Sequence, residues 1–287
     1  MPASFGSADR VMAIRVRSNS PVPRRARPTR ELRPMPLHPR WVLMIPLALM
    51  VSCSRAGGAG ANQISDGGSG PSAPDRIFGN VTAGAGGGHT INGFVQVPDG
   101  TQTADVGTVN GSIRIGANAT AREAATVNGS ISLGSHASAD SLSTVNGSIS
   151  LNPNARVAHG IHTVNGSVTL RDGSEVDGSI ANVNGTIDLS AAHVGGRITT
   201  ANGDINVRGQ SRVDGGILVQ KERPLGWLDS WFESKHEPRV IIGPDAVVNG
   251  QLRFERQVEL YVSDKATIGP VLGASPVRYS GEDPAHP

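Results

Sequence analysis

The 287-residue chain has little of what a compact enzyme normally contains. It has one cysteine, ten aromatic residues and 17% charged side chains, whereas an average soluble domain is about 25% charged. A single cysteine allows no internal disulfide bond. Glycine, in contrast, occurs 37 times. This composition argues against an ordinary compact globule and favours a repetitive β fold, disorder, or both in succession.

The net charge of +2 originates in the first part of the chain. Residues 1–52 contain nine arginines and two acidic residues, which leaves 17 basic and 22 acidic side chains in residues 53–287. Affinity for DNA depends on lysine and arginine side chains that neutralise phosphates. We therefore expect no nucleic acid as a partner.

An apolar run at residues 41–52 is too short for a membrane-spanning helix, which needs about 20 residues. Its length is typical of the hydrophobic part of an export signal. The residues that end this run, Met50, Val51 and Ser52, directly precede Cys53 and resemble the lipobox of bacterial lipoproteins, with methionine in place of the usual leucine. An inert cysteine after an apolar helix is the alternative interpretation.

The lipobox resemblance implies that residues 35–52 are a signal peptide and that Cys53 becomes a lipidated N-terminus. The protein would then be anchored to a membrane of the cell envelope. Ser54 stands where an aspartate often retains such proteins in the inner membrane, so the outer membrane is favoured.

Residues 1–34 form an extension rich in arginine and proline, which we interpret as disordered. Translation from Met35 would produce a signal peptide of ordinary size and leave this extension untranslated. Starts at Met1 or Met12 remain alternatives. With the earlier starts the extension would be a twin-arginine export signal around Arg24 or a basic arm.

The body of the chain is a repeat. After a glycine- and serine-rich stretch, interpreted as a tether over residues 53–88, Thr-Val-Asn-Gly-Ser-Ile and its variants recur at spacings of 18 or 19 residues. Self-similarity at a short period predicts a solenoid, in which each turn buries its apolar face against its neighbours.

A second period of six divides each repeat into three. Apolar residues occur at every sixth position, with one-residue insertions before Val164 and Val183. We expect these residues to point inward: Val109, Ile115, Ala121, Val127, Leu133, Ala139, Val145, Leu151, Val157, Val164, Leu170, Val176, Val183 and Leu189. A second inward set follows four places after many of them: Ile113, Ala119, Ile131, Ala137, Ile149, Ala155, Ile161, Val168, Ile180 and Ile187. Three short strands per turn predict an all-β, triangular β-helix with about 18 residues per coil. The spacing leaves its handedness open.

The Asn-Gly pairs are expected to form the turns, because glycine adopts positive φ freely and asparagine tolerates it. Stacking would align the asparagine amides in a hydrogen-bonded ladder, although a ligand-binding strip is an alternative. The pairs are Asn92–Gly93, Asn110–Gly111, Asn128–Gly129, Asn146–Gly147, Asn165–Gly166, Asn184–Gly185 and Asn202–Gly203.

The repeat is interrupted at residues 220–239. Trp227 and Trp231 are four residues apart, and Phe232 follows, which predicts a short helical insertion. These aromatic residues would cover a flank of the solenoid or form an interaction surface. Solenoid turns are thus predicted at residues 89–219 and 240–273, with a flexible tail at 274–287.

Two segments near the C-terminus, Ile242–Gly250 and Ala266–Gly269, resemble bactofilins, which are polymer-forming β-helical proteins of bacteria. The Thr-Val-Asn-Gly-Ser-Ile units are similar to β-solenoid proteins described as adhesins. The bactofilin resemblance implies end-to-end polymerisation and a scaffold role near the cell wall. The adhesin resemblance implies a surface adhesin or a module that contacts the cell wall or a polysaccharide.

A catalytic or metal site is not expected. The only close histidine pair is His159 and His162, which flank an inward position, and no catalytic or cofactor motif occurs. A small acidic cluster at Asp172, Glu175 and Asp177 leaves a carbohydrate-active β-helix enzyme as a second alternative. The leading interpretation is a lipid-anchored scaffold without enzymatic activity or a cofactor. Among its partners we expect further copies of the same chain.

Overall fold

The structure is a computed structural model that describes residues 76–221 and 237–284. Within these ranges every regular element is a β-strand. The strands form a parallel β-solenoid of about ten turns with about 18 residues each, which confirms the predicted fold class. The predicted helix at 220–239, with Trp227, Trp231 and Phe232, lies almost entirely outside the described residues.

Each turn has three sides, and the first, face 1, is an eleven-stranded parallel sheet. Its strands are β2 (Val81–Thr82), β4 (Val95–Val97), β7 (Ile113–Ile115), β9 (Ile131–Leu133), β11 (Ile149–Leu151), β13 (Val168–Leu170), β16 (Ile187–Ser190), β19 (Ile205–Arg208), β22 (Arg239–Ile242), β25 (Glu259–Ser263) and β28 (Val277–Tyr279). A serine or threonine precedes five of these strands, β7, β9, β11, β13 and β16, and in each of the five two apolar residues two places apart point into the core.

The other two sides belong to one seventeen-stranded sheet, because three long strands continue around the corner between them: β8 (Thr120–Asn128), β10 (Ser138–Asn146) and β12 (Arg156–Asn165). Face 2 also contains β5 (Gln102–Thr103), β14 (Glu175–Val176), β17 (His193–Val194), β20 (Arg212–Val213), β23 (Val247–Val248) and β26 (Thr267–Ile268). Face 3 contains β1 (Arg76–Phe78), β3 (Gly88–Asn92), β6 (Val106–Asn110), β15 (Ser179–Ala181), β18 (Ile198–Thr200), β21 (Ile217–Val219), β24 (Leu252–Phe254) and β27 (Val271–Leu272).

The core is a stack of equivalent layers. In one layer Ile113 and Ile115 point inward from face 1, Ala119 and Ala121 from face 2, and Ala124 from face 3, and all are at most 1% exposed. In this layer branched residues on face 1 thus pack against small residues on face 2, whereas later turns place valines such as Val176 and Val194 there. All ten residues of the second predicted inward set are buried, which confirms that part of the pattern.

The six-residue pattern is wrong on face 3. Val109, Val127, Val145, Val164 and Val183 are only half-buried, and the residues that fill the core there are Thr108, Thr126, Thr144, Thr163 and Asn182. The reason is the corner between faces 2 and 3. Two consecutive residues, such as Arg122 and Glu123, point outward there, so the alternation shifts by one residue.

The segment boundaries also differ from those predicted. Strands β1 and β2 precede the expected start of the solenoid at residue 89, so the predicted tether at 53–88 overlaps its first turn. Strand β28 falls in the predicted tail at 274–287, where it pairs with β25. Residues 1–75, including the predicted extension, the signal peptide, the lipobox residues Met50, Val51 and Ser52, and Cys53, lie outside the described residues.

Candidate functional site

The Asn-Gly corners between faces 3 and 1 form a continuous ladder. From Asn110 onward, each asparagine Nδ2 donates a hydrogen bond to Oδ1 of the asparagine one turn earlier, over distances of 2.8–3.0 Å. The participants are Asn92, Asn110, Asn128, Asn146, Asn165, Asn184 and Asn202. These amides therefore bind to one another from turn to turn.

The glycines of these corners are required for a reason other than the predicted one. Of the seven, only Gly185 has positive φ, at 116°, so the left-handed turn expected at Gly111 and Gly129 is not formed. A Cβ on Gly129 would instead lie 1.8 Å from the carbonyl oxygen of Gly111. Glycine is needed here because the backbones of adjacent turns approach so closely.

The ladder ends at Asn202, in the last Asn-Gly corner before residues 222–236. Strand β21 ends at Val219, and in the next turn Arg256 donates hydrogen bonds from Nη1 to Asn202 Oδ1 and to the carbonyl oxygen of Ala201. The guanidinium group of Arg256 thus takes up the Oδ1 acceptor of Asn202, the last asparagine of the ladder. The predicted ladder residues are all brought together in this one column, and the contacts that they make are structural.

A second column, on the outer side of face 2, carries charge. Arg156, Glu175, His193 and Arg212 occupy equivalent positions of four successive turns. We call these four residues, together with Asp177 and Asp214, the charge strip. Sequence analysis found only Glu175 and Asp177 of these six residues, because the members of the column differ in type and are 18 or 19 residues apart.

The charge strip is internally paired. Arg156 contacts Glu175 at 2.6 Å and Asp177 at 2.7 Å, and Arg212 contacts Asp214 at 2.9 Å. His193 lies between two carboxylates: its Nδ1 is 3.3 Å from Glu175 Oε1, and its Nε2 is 2.9 Å from Asp214 Oδ2. The third member of the predicted acidic cluster, Asp172, accepts a hydrogen bond from Ser190 at a different corner.

These contacts shift two titrations in opposite directions. The hydrogen bond to Asp214, followed by the one to Glu175, raises the pKa of His193 above its ordinary value despite partial desolvation. The hydrogen bond from His193 lowers the pKa of Asp214. The side chains of His193, Glu175 and Asp214 are each about one third exposed, so solvent screens the pairs and each contributes modestly to stability.

The close histidine pair noted in the sequence, His159 and His162, does not form one site in the structure. His159 is exposed at the corner between faces 2 and 3, whereas His162 is half-buried on the outer side of face 3. Burial lowers the pKa of His162. In the described part of the chain, no group of three or more His, Cys, Asp or Glu residues is arranged to hold a metal ion.

Large exposed hydrophobic side chains occur at the two ends of the solenoid. In the described ranges they are Phe78, which is 73% exposed, Leu272 at 51% and Val277 at 55%. Phe78 belongs to the first strand on face 3, and the other two belong to the last strands on faces 3 and 1.

Comparison with known proteins yields no matching family model, no matching curated protein and no matching solved structure. Among the residues that the structure describes, no helix is long and apolar enough to cross a membrane.

Proposed function

We propose that this protein is a structural scaffold of the bacterial cell envelope, a lipid-anchored β-solenoid that associates end to end with copies of itself. The observation that carries this proposal is the distribution of exposed apolar side chains. Phe78 lies at one end, and Leu272 and Val277 lie at the other, while the outer sides of the turns between them carry mainly polar and small residues.

The strand edges support the same arrangement. Among the described residues, β1 pairs only with β3, and β28 only with β25. An edge strand with unpaired N–H and C=O groups is a template for another strand. Contact between opposite ends of two copies would be a heterologous interface, which continues into a filament when the rotation does not close a ring.

The membrane anchor is supported by the sequence alone. Met50, Val51 and Ser52 before Cys53 resemble a lipobox, and acyl chains on one cysteine at the start of a tether would attach the solenoid to a bilayer. Intact-mass measurement of the membrane fraction should show a lipidated chain beginning at Cys53. The Cys53→Ala variant should lose this modification.

End-to-end association is tested on the full chain in detergent, by electron microscopy and light scattering over a range of concentrations. Filaments should lengthen with concentration, and the Phe78→Asp and Leu272→Asp variants should shorten or abolish them. The matched control is Thr169→Asp, on the outer side of face 1 in the middle of the solenoid. A wild type that stays monomeric, or end variants that still form normal filaments, would overturn the proposal.

A second candidate function, a module that contacts the cell wall or a polysaccharide, is favoured by the outer side of face 1. Strand register aligns uncharged polar residues there in successive turns: Ser132, Ser150 and Thr169. Co-sedimentation with insoluble peptidoglycan would support this function if Ser150→Asp reduced binding and Phe78→Asp did not. We propose no catalytic role for the charge strip, because its charged groups are paired with one another.

A further inference from the structure

The charge strip joins turns on both sides of the insertion. Asp214 precedes residues 222–236 and accepts a hydrogen bond at 2.7 Å from Nδ2 of Asn249, which follows them. On the other side, His193 connects Asp214 to Glu175, and Arg156 holds Glu175. A chain of side-chain contacts therefore crosses five successive levels of face 2.

The hydrogen bonds that His193 can make depend on the protonation state of its ring. A neutral imidazole has one N–H donor and one acceptor nitrogen, whereas an imidazolium has two donors. Both ring nitrogens of His193 lie within 3.3 Å of a carboxylate oxygen, and a carboxylate is only an acceptor. The neutral ring satisfies one of these contacts and places a nitrogen lone pair against an oxygen in the other.

We propose that His193 is a proton-dependent clasp that holds three successive turns of face 2 together when its ring is charged and releases one of its two contacts when the ring loses its proton. Protonated His193 donates to Glu175 and Asp214 at once. This device is a property of a single chain and does not depend on the proposed scaffold function.

The surrounding charges determine which contact is released. The charged groups that face His193 are Glu175, with Arg156 and Asp177 behind it, and Asp214, with Arg212 beside it. The contact to Asp214 is the shorter, at 2.9 Å. Glu175 also has a 2.6 Å ion pair with Arg156. The neutral ring therefore retains its Nε2 proton toward Asp214 and gives up Glu175.

The direction of the pH effect follows from the raised pKa of His193. The ordinary histidine pKa is about 6.5. The stabilisation is complete below that pH and disappears as the pH rises through the higher pKa of the folded protein. Loss of the His193 proton thus loosens the join between β14 and β17, and protonation of His193 tightens it.

Deuterium exchange at the imidazole C2 position of individual histidines, followed by mass spectrometry across pH, reports each titration in the full-length protein. The midpoint of His193 should lie above the ordinary histidine pKa of about 6.5. Glu175→Gln and Asp214→Asn should each lower it, with the larger decrease for Asp214→Asn. Unchanged or higher midpoints in these two variants would overturn the clasp.

Backbone amide exchange in β14 and β17, the two strands whose contact is released, provides the second measurement after correction for intrinsic rates. Protection there should fall severalfold above the His193 midpoint in the wild type and show no such step in His193→Gln. His159→Gln is the control and should keep the step. A step that persisted in His193→Gln would also refute the clasp. Both measurements report on a single chain, so they remain valid if the protein forms no filaments.

Discussion

Thr126 donates a hydrogen bond from Oγ1 to the carbonyl oxygen of Gly111 at 3.0 Å. The bond runs from the buried inner side of face 3 to the Asn-Gly corner of the preceding turn. Thr108, Thr144 and Thr163 make the same bond in their own turns. The threonine of the repeat is thus a core residue that satisfies a backbone carbonyl at the corner.

Replacing one of these threonines should cost stability. Thr144→Val keeps the shape but removes the 3.0 Å bond to the carbonyl oxygen of Gly129, and we expect a loss of about 1–2 kcal/mol in the free energy of unfolding. Chemical denaturation measures it. Thr169→Val, on the outer side of face 1, is the control and should change stability little; equal losses in both variants would contradict the assigned role.

The Asn-Gly glycines should tolerate no side chain. In Gly129→Ala the new Cβ would meet the Gly111 carbonyl oxygen at 1.8 Å, so the two turns must separate at a cost of about 2–3 kcal/mol. Thermal unfolding should show a clear decrease. Gly84→Ala, where nothing lies within 4 Å of the added Cβ, should unfold close to the wild type.

The asparagine ladder predicts a difference between its middle and its end. Asn128→Ala removes two amide hydrogen bonds, each 2.9 Å long, whereas Asn92→Ala removes the single 2.8 Å bond from Asn110. At about 0.5–1 kcal/mol for each exposed bond, the first substitution should cost about twice as much as the second. Denaturant titrations of the two variants compare these costs directly, and equal values would argue against a ladder.

The corner between faces 1 and 2 contains a strained residue. Ala191 has φ of 46°, in a column where the other turns place residues such as Asn118, Asn154 and Gly209. Because glycine adopts this conformation without a steric penalty, Ala191→Gly should stabilise the protein by about 0.5–1 kcal/mol. Ala181→Gly, in a regular strand, should destabilise it by a similar amount. A loss of stability in Ala191→Gly would show that the corner is not strained.

His162 should make the protein sensitive to acid. Burial lowers its pKa, so the unfolded chain binds the proton more readily than the folded one. This contribution to stability is present above pH of about 6.5 and is lost as the pH falls through the lowered pKa. The melting temperature of His162→Gln should decline less than that of the wild type between pH 7 and pH 5, and His159→Gln should behave like the wild type.

The sequence alone determined the coil. A strict recurrence of Asn-Gly at 18 or 19 residues leaves few arrangements other than stacked turns, and like residues one period apart then align, as the ladder from Asn92 to Asn202 does. Inward positions on faces 1 and 2 follow from the same count, since the strands there alternate regularly.

Only the tertiary structure decided the rest. At the bend between faces 2 and 3 two consecutive residues point outward, and this shift places Thr126 inside the core and leaves Val127 half-buried. The charge strip depends on unlike residues, Arg156, Glu175 and His193, that meet only once the register is set. A repeat pattern reveals what recurs, whereas such contacts arise where successive turns differ.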